Sequence, residues 1–340
     1  MEIEEKLTTK EVRETVKLLK EIIKEYKEET PTEKKDWRTK EERIKQRLKT
    51  AFTELKPLVK EAVKSIKIIK GETRGADPKL TLEQKVLLLL LKQLIGKSNR
   101  NMSFMLALFL WLTNIDVSYK TIERLYSDPE VNLALHNLHL LILKKKGVKE
   151  ADCGGDGTGY ALTIKKHYAA EAQKLKDKIK KIDRRYKKKE FFFSFAVMDI
   201  KSRMYIGYGT SFKSEQEAHT HAAELCEETG VKINSMRLDR LFSNQSCVEF
   251  YHQHFGKVRM YLIPKSNATV RDSWEWKRML YKFVHDTKEY LKDYYQRNQL
   301  ESGFSEDKKR TGWKLGQKRE DRIDTANTVN HLWHNLYWLG

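Results

Sequence analysis

The sequence predicts an α/β domain, a mixed sheet flanked by helices, preceded by an all-α N-terminal region. Three observations carry this. Up to about residue 148 the chain keeps a helical hydrophobic period rich in Lys and Glu. From about 150 it changes to short aromatic and β-branched runs such as FFFSFAVMDI at 191–200. Those runs then alternate with helical stretches, the pattern of a sheet with helices on its faces. At 340 residues the chain has room for two or three domains.

Residues 8–28 and 40–70 read as charged helices separated by a turn at Thr30-Pro31-Thr32, and 71–78 as a Gly- and Pro-bearing linker. Thr81 and Gln84 have capping-box spacing at the head of an apolar helix, 82–95. A second helix is expected over 103–112, a turn over 113–117, and a short helix over 119–126 capped by Ser118. Together these outline a helix-turn-helix-like module. Its last helix offers Tyr119, Lys120, Thr121, Glu123 and Arg124 to a DNA groove, with Lys120 and Arg124 as the DNA-binding candidates. Beyond it, a strand is expected over 157–164 and a hairpin over 191–200 and 204–208, turning at Lys201-Ser202-Arg203. Then come a helix over 215–228 stopped by Gly230, a strand over 233–238, a helix over 244–255, and a strand over 258–263 closed by Pro264. Long helices follow from about Ser273. The order β-β-β-α-β-α-β is that of an RNase H-like fold. The expected divisions are a helical region at 1–75, the helix-turn-helix-like domain at 76–148, and the RNase H-like domain at 149–312 with a basic helical insertion at 165–189. A basic, helical tail at 313–340 completes the chain.

The formal net charge is +19, from 67 Lys plus Arg against 48 Asp plus Glu, which favours a polyanionic partner, nucleic acid before membrane. Residues 165–189 hold twelve basic against three acidic side chains, and 308–322 hold seven against two. Cys153, Cys226 and Cys247 have neither disulfide-framework nor zinc-site spacing, as expected in a reducing cytosol. The charged N-terminus lacks the apolar stretch of a signal peptide, and no apolar run approaches the ~20 residues of a membrane span. The expectation is a cytoplasmic, nucleoid-associated protein without a membrane partner.

Four residues in DYYQRNQLESGFSEDKKRTGWK carry the most chemistry: Tyr294, Arg297, Glu301 and Lys308. On one helix the seven-residue steps place Tyr294, Glu301 and Lys308 along one side with Arg297 beside them. An acid among two cations and an aromatic hydroxyl is poor core material and suits a metal-binding carboxylate beside a phosphate-gripping surface. The spacing Y-x2-R-x3-E-x6-K resembles the YREK signature of DDE insertion-sequence transposases. That resemblance implies that Glu301 completes an Asp-Asp-Glu metal site, with Asp156 in ADCGGDGTGYALTI and Asp239 in NSMRLDRLFSN as its other members. Asp152 is a rival to Asp156, and Asp239 has Arg237 and Arg240 as competing partners. The resemblance further implies Mg²⁺, with Mn²⁺ as the alternative, and two-metal cleavage of phosphodiester bonds followed by joining of the 3′-hydroxyls to target DNA. It implies double-stranded DNA as partner, both transposon ends and target, and a homodimer that holds two ends together.

Within the resemblance, Tyr294, Arg297 and Lys308 grip end DNA or orient Glu301, and Trp274 and Trp276 are candidates for stacking on an unpaired base or for core packing. The spacings of a P-loop and of a dinucleotide loop are absent despite four glycines around Asp156. The paired histidines have no required catalytic part. Gly303 is expected to bend the helix before Lys308. Two other readings stand beside the transposase: an RNase H-like nuclease without strand transfer, and a domesticated transposase that only binds DNA.

Overall fold

The computed structural model describes residues 7–29, 36–66, 79–162, 191–271 and 273–340. The expected basic insertion at 165–189, the 71–78 linker and the turn at Thr30-Pro31-Thr32 lie outside them. Seven helices come first: α1 (Thr9–Glu29), α2 (Trp37–Lys64), α3 (Leu82–Ile95), α4 (Asn99–Leu108), α5 (Leu110–Thr113), α6 (Tyr119–Leu125) and α7 (Pro129–Lys146). Local chemistry sets their ends. Thr81 and Gln84 form the reciprocal capping box, Ser118 caps α6, and Gly96 and Gly147 end α3 and α7 in the left-handed conformation. The expected helix over 103–112 instead starts at Asn99, capped by Ser98, and breaks at Phe109 into α4 and α5. Both α3 and α4 pack on α6.

The sheet contains β1 (Glu150–Leu162), β2 (Phe191–Asp199), β3 (Tyr205–Ser211), β4 (Lys232–Arg237), β5 (Arg259–Tyr261) and β6 (Lys314–Leu315). Its order is β3-β2-β1-β4-β5, antiparallel across β3-β2-β1 and parallel across β1-β4-β5, with β6 pairing in parallel to the far end of β1. Between the strands and after them run α8 (Glu215–Thr229), α9 (Gln245–Phe255), α10 (Trp274–His285), α11 (Thr287–Tyr295), α12 (Asn298–Thr311) and α13 (Glu320–Trp338). The element order expected from the sequence is present, with one correction. β1 begins at Glu150, not 157, so Asp156 lies mid-strand rather than at its start. The segment before it has few apolar side chains because close packing, not side-chain volume, fills its faces. A Cβ on Gly154 would meet Leu300 Cδ1 at 2.7 Å, and one on Gly155 would meet Leu238 Cδ2 at 2.6 Å.

A second correction concerns residues 313–340. They are helical as expected but not a tail: α13 runs through the core against α2, α3, α7 and β3. Most of its run TANTVNHLWHN is buried, and many of the polar groups there find partners. Asn327 bonds Ser194 and Thr210, Asn335 bonds both backbone groups of Tyr205, Gln93 bonds Asn330, and the Trp333 indole donates to the Leu90 carbonyl. The apolar core is continuous from Val12 on α1 to Leu336 on α13. Each fully buried Leu or Phe in it contributes about 1.5–3 kcal/mol of transfer free energy. No described helix is long and apolar enough to cross a membrane.

Candidate active site

β1 positions the site by parting from its neighbours. Its pairing with β4 ends at Gly154↔Arg237, and β6 joins only at Ala161↔Lys314. Between these points that edge of β1 has no strand partner among the described residues, and Asp156 sits in the gap. Beside it, the chain leaving β4 turns at Asp239, which caps the short 3-10 helix Arg240–Phe242. Asn244 then caps α9. Side chains alternate along β1. Residues 154, 156, 158 and 160 therefore face α12, while Gly157 faces α8.

The third wall is the junction of α11 and α12. The sequence predicts one helix through Tyr294–Lys308; the structure contains two, joined at Gln296–Arg297. The junction keeps helical dihedrals but uses i→i−3 bonds, Arg297 N–H to Tyr294 O at 3.2 Å and Leu300 N–H to Arg297 O at 2.9 Å. That tightening turns Arg297 inward. Its guanidinium lies 3.4 Å from Asp156, 3.9 Å from Asp239 and 3.8 Å from Glu301. The three acids expected from the sequence therefore surround the one arginine expected beside them.

Their environments differ. The Asp156 and Arg297 side chains are 14% and 13% exposed, those of Asp239 and Glu301 47% and 60%. Burial raises the Asp156 carboxyl above the ordinary Asp value; Arg297 and the Gly157 N–H oppose this, and Glu301 and Asp239 add to it. Burial alone would lower Arg297, but Tyr294, Asp156 and Asp239 outweigh it and hold the guanidinium further toward its charged form. Half-exposed pairs near 4 Å are worth about 0–1 kcal/mol. Asp239 and Glu301 thus restrain Arg297 only weakly, and its buried Nε and Nη1 have no hydrogen-bond partner. It is a cation that a better set of acceptors would attract.

The flanking residues were expected at the surface, and two are not. Tyr294 is buried, with its ring 5.6 Å from the Arg297 guanidinium, so it supports the arginine and does not face solvent. Lys308 is half-buried and donates to Thr158 Oγ1 at 2.6 Å and to the Gly159 carbonyl at 3.0 Å. The helix α12 continues through Gly303. A Cβ there would meet Tyr205 Oη at 3.1 Å and His334 at 3.4 Å, so close approach explains it. Trp276 is core, its indole donating to the Thr269 carbonyl, whereas Trp274 is exposed. On α6, Lys120 and Arg124 are exposed, but Glu123 is held by Arg322 and is not free for a groove.

The rivals separate cleanly. Asp152 bonds Ser235 and lies 3.8 Å from Arg259, away from Arg297. Arg237 turns from Asp239 to the Asp293 and Cys153 carbonyls. Sequence reasoning missed Glu215, in the first turn of α8. Its carboxylate occupies the space a Cβ on Gly157 would need, at 2.3 Å, and burial followed by Asp156 and Asp239 raises its pKa. Its only sequence signal was position, just after the Ser214 cap and the β2–β3 hairpin.

Chemically, the three carboxylates offer only hard oxygen donors, the set that Mg²⁺ and Mn²⁺ take. Among the described residues no three His, Cys, Asp or Glu side chains are gathered closely enough to hold an ion unaided. The Arg297 guanidinium lies among the three acids and supplies the positive charge in their midst. A cavity of about 300 Å³ lies elsewhere, lined by Thr210, Lys213, His221 and Asp324.

A sheet carrying acids at an open strand edge, on a strongly basic chain, defines a nucleic-acid-processing class of protein, and comparison narrows it. The chain is 39% identical over 334 residues to a probable transposase for insertion sequence element ISA1214 from Archaeoglobus fulgidus, covering 98% of this chain and 97% of that protein. It belongs to the insertion-sequence transposases. No family model matches it, and no solved structure does.

Proposed function

We propose that this protein is a DDE transposase with an RNase H-like catalytic domain, which cleaves phosphodiester bonds at the ends of its element and joins the freed 3′-hydroxyls to target DNA. The observation that carries the reading is the convergence of Asp156, Asp239 and Glu301 on one arginine, from two adjacent strands and a covering helix. Membership of the insertion-sequence transposases and the +19 charge support it.

In this reading Asp156, Asp239 and Glu301 hold Mg²⁺, with Mn²⁺ able to replace it. A metal held there would supply activation of the attacking water or 3′-hydroxyl and stabilisation of the leaving oxygen. The remaining work belongs to side chains. Asp156, anchored mid-strand, fixes the position of the acids, while half-exposed Asp239 and Glu301 have the freedom to close on an incoming ion. Arg297 leaves the carboxylates for the scissile phosphate, where its planar donors make two charge-assisted bonds and satisfy its buried nitrogens. Tyr294 keeps it aimed. Lys308, braced on β1, and exposed Lys120 and Arg124 on α6 supply point charges for the backbone of a longer duplex. Two ends must be held at once, so the active species is a homodimer.

The test is an assay that scores cutting and joining separately on duplexes carrying the element's own ends. Wild type with Mg²⁺ does both; Asp239→Asn and Glu301→Gln bind the ends but do neither. Undiminished cutting by both variants would contradict the reading, and cutting without joining would favour an RNase H-like nuclease.

A further inference from the structure

We propose that the outer face of α4 and α5 is where two copies of this chain meet; this rests on the reading of the protein as a homodimeric transposase and assigns the surface that pairs it. Leu108 and Phe104 are the most exposed large apolar side chains of the described residues, at 74% and 60%. They stand one turn apart on α4, so they share a face. Met102 and Leu106, on the opposite face, are buried where α4 packs on α6. The helix thus has apolar side chains on both faces, and only the inner face is covered among the described residues. Phe109 and Leu110, where the break at Phe109 leads into α5, are exposed as well.

Charge selects the occupant. Residues 101–115 contain no Asp, Glu, Lys, Arg or His, in a chain that is 34% charged. A DNA backbone is held by cations, and this face offers none. Two chains of net charge +19 repel each other, and they approach at least cost where neither carries charge. An uncharged apolar face also complements itself, which a two-fold contact between identical copies requires. Asn101, Thr113 and Asn114 are exposed at the two ends of the run and supply an uncharged polar rim.

Size agrees. Phe104, Leu108, Phe109 and Leu110 present on the order of 400 Å² of apolar surface, the scale of patch that marks an interaction site. A standard interface takes about 800 Å² from each partner, apolar at its centre and polar at its edge. The four side chains therefore suffice for the centre of such a contact, with the polar ends of the run as its edge. Because α6 packs on the inner side of α4, pairing here sets two α6 helices about the two-fold axis, each with exposed Lys120 and Arg124.

The experiment is sedimentation equilibrium of the full chain, without DNA and in chelator. It compares wild type, Leu108→Glu, Phe104→Glu and a control, Leu133→Glu, at an exposed position on α7. Wild type should form a dimer that tightens between about 0.1 M and 1 M salt, because salt screens the repulsion between basic chains and leaves the apolar contact intact. Leu108→Glu and Phe104→Glu should each raise the dimer Kd by about tenfold or more with unchanged circular dichroism, while Leu133→Glu stays within about twofold. A wild type that remains monomeric overturns the proposal. Anionic vesicles captured by that monomer would assign the face to a lipid surface, and a urea midpoint lowered in its Leu108→Glu variant would assign it to another segment of the same chain. A dimer that Leu108→Glu and Phe104→Glu leave intact, or that Leu133→Glu weakens equally, also overturns it. Failure of the transposase reading shows separately, as cutting retained by Glu301→Gln.

Discussion

Among single residues, Arg297 has the most to explain, because it occupies the centre of the candidate site with the charge opposite to that of its three neighbours. Removing it leaves a mostly buried Asp156 facing Asp239 and Glu301 without compensation. Arg297→Ala should melt below wild type in chelator and gain more than wild type from added Mg²⁺ in thermal unfolding; equal gains would argue that the acids do not share one ion. His334 is a second residue fixed by its partners. Its Nδ1 faces an Asp307 carboxylate oxygen at 2.8 Å and its Nε2 the Arg203 carbonyl at 2.7 Å. The ring is thus fixed at both nitrogens. Asp307, also bonded by Tyr205 and Arg310, is held below the ordinary Asp value even though burial opposes this. His334→Ala should cost about 3–5 kcal/mol in urea unfolding, the cost of stranding a buried charge; a loss under 1 kcal/mol would mean that Asp307 is satisfied without it.

For the elements, sequence patterns located what local chemistry determines and misread what close packing determines. Capping residues at Thr81 and Ser118 placed α3 and α6 because a cap acts within four residues. The positions of Asp239 after β4 and of Glu301 on α12 follow from equally local patterns, a strand exit and a helical spacing. The start of β1 was not legible. Its glycines signal a turn in one dimension, and only Leu300 and Leu238 lying against them make them strand residues. The break at Gln296–Arg297 was invisible because both residues keep helical dihedrals. The same close packing gives a sharp prediction for β3. A Cβ on Gly207 would meet the Ala222 carbonyl at 2.2 Å and Cys226 Sγ at 2.5 Å, whereas one on Gly159 would meet only the Phe191 ring, at 3.3 Å. Gly207→Ala should destabilise by about 3 kcal/mol or more and Gly159→Ala by less than about 1 kcal/mol. Equal urea midpoints would show that α8 can move away from β3.

At the scale of the molecule, one core joins the N-terminal helices to the sheet through α13, so the site inherits the stability of the whole chain. Three histidines in that core are buried in the neutral form. Burial lowers His139, His219 and His331 to about 4 from 6.5. Because the folded values lie below the unfolded one, this stability is fully present above pH 6.5 and is lost as the pH falls toward 4. The loss at pH 5 is about 1–2 kcal/mol per histidine. The urea midpoint should therefore fall between pH 7 and pH 5, and an unchanged midpoint would contradict the neutral burial of these rings. The fold also separates Asp156 from Asp152, which the sequence could not. The most direct measurement is end cleavage by Asp156→Asn and Asp152→Asn side by side, with end binding followed in parallel. If Asp156, Asp239 and Glu301 form the cleavage centre, Asp156→Asn loses cleavage by on the order of 100-fold or more, several kcal/mol of transition-state stabilisation, while Asp152→Asn stays within a few-fold of wild type. Cleavage retained by Asp156→Asn, or lost instead in an Asp152→Asn protein that still binds ends, would contradict it.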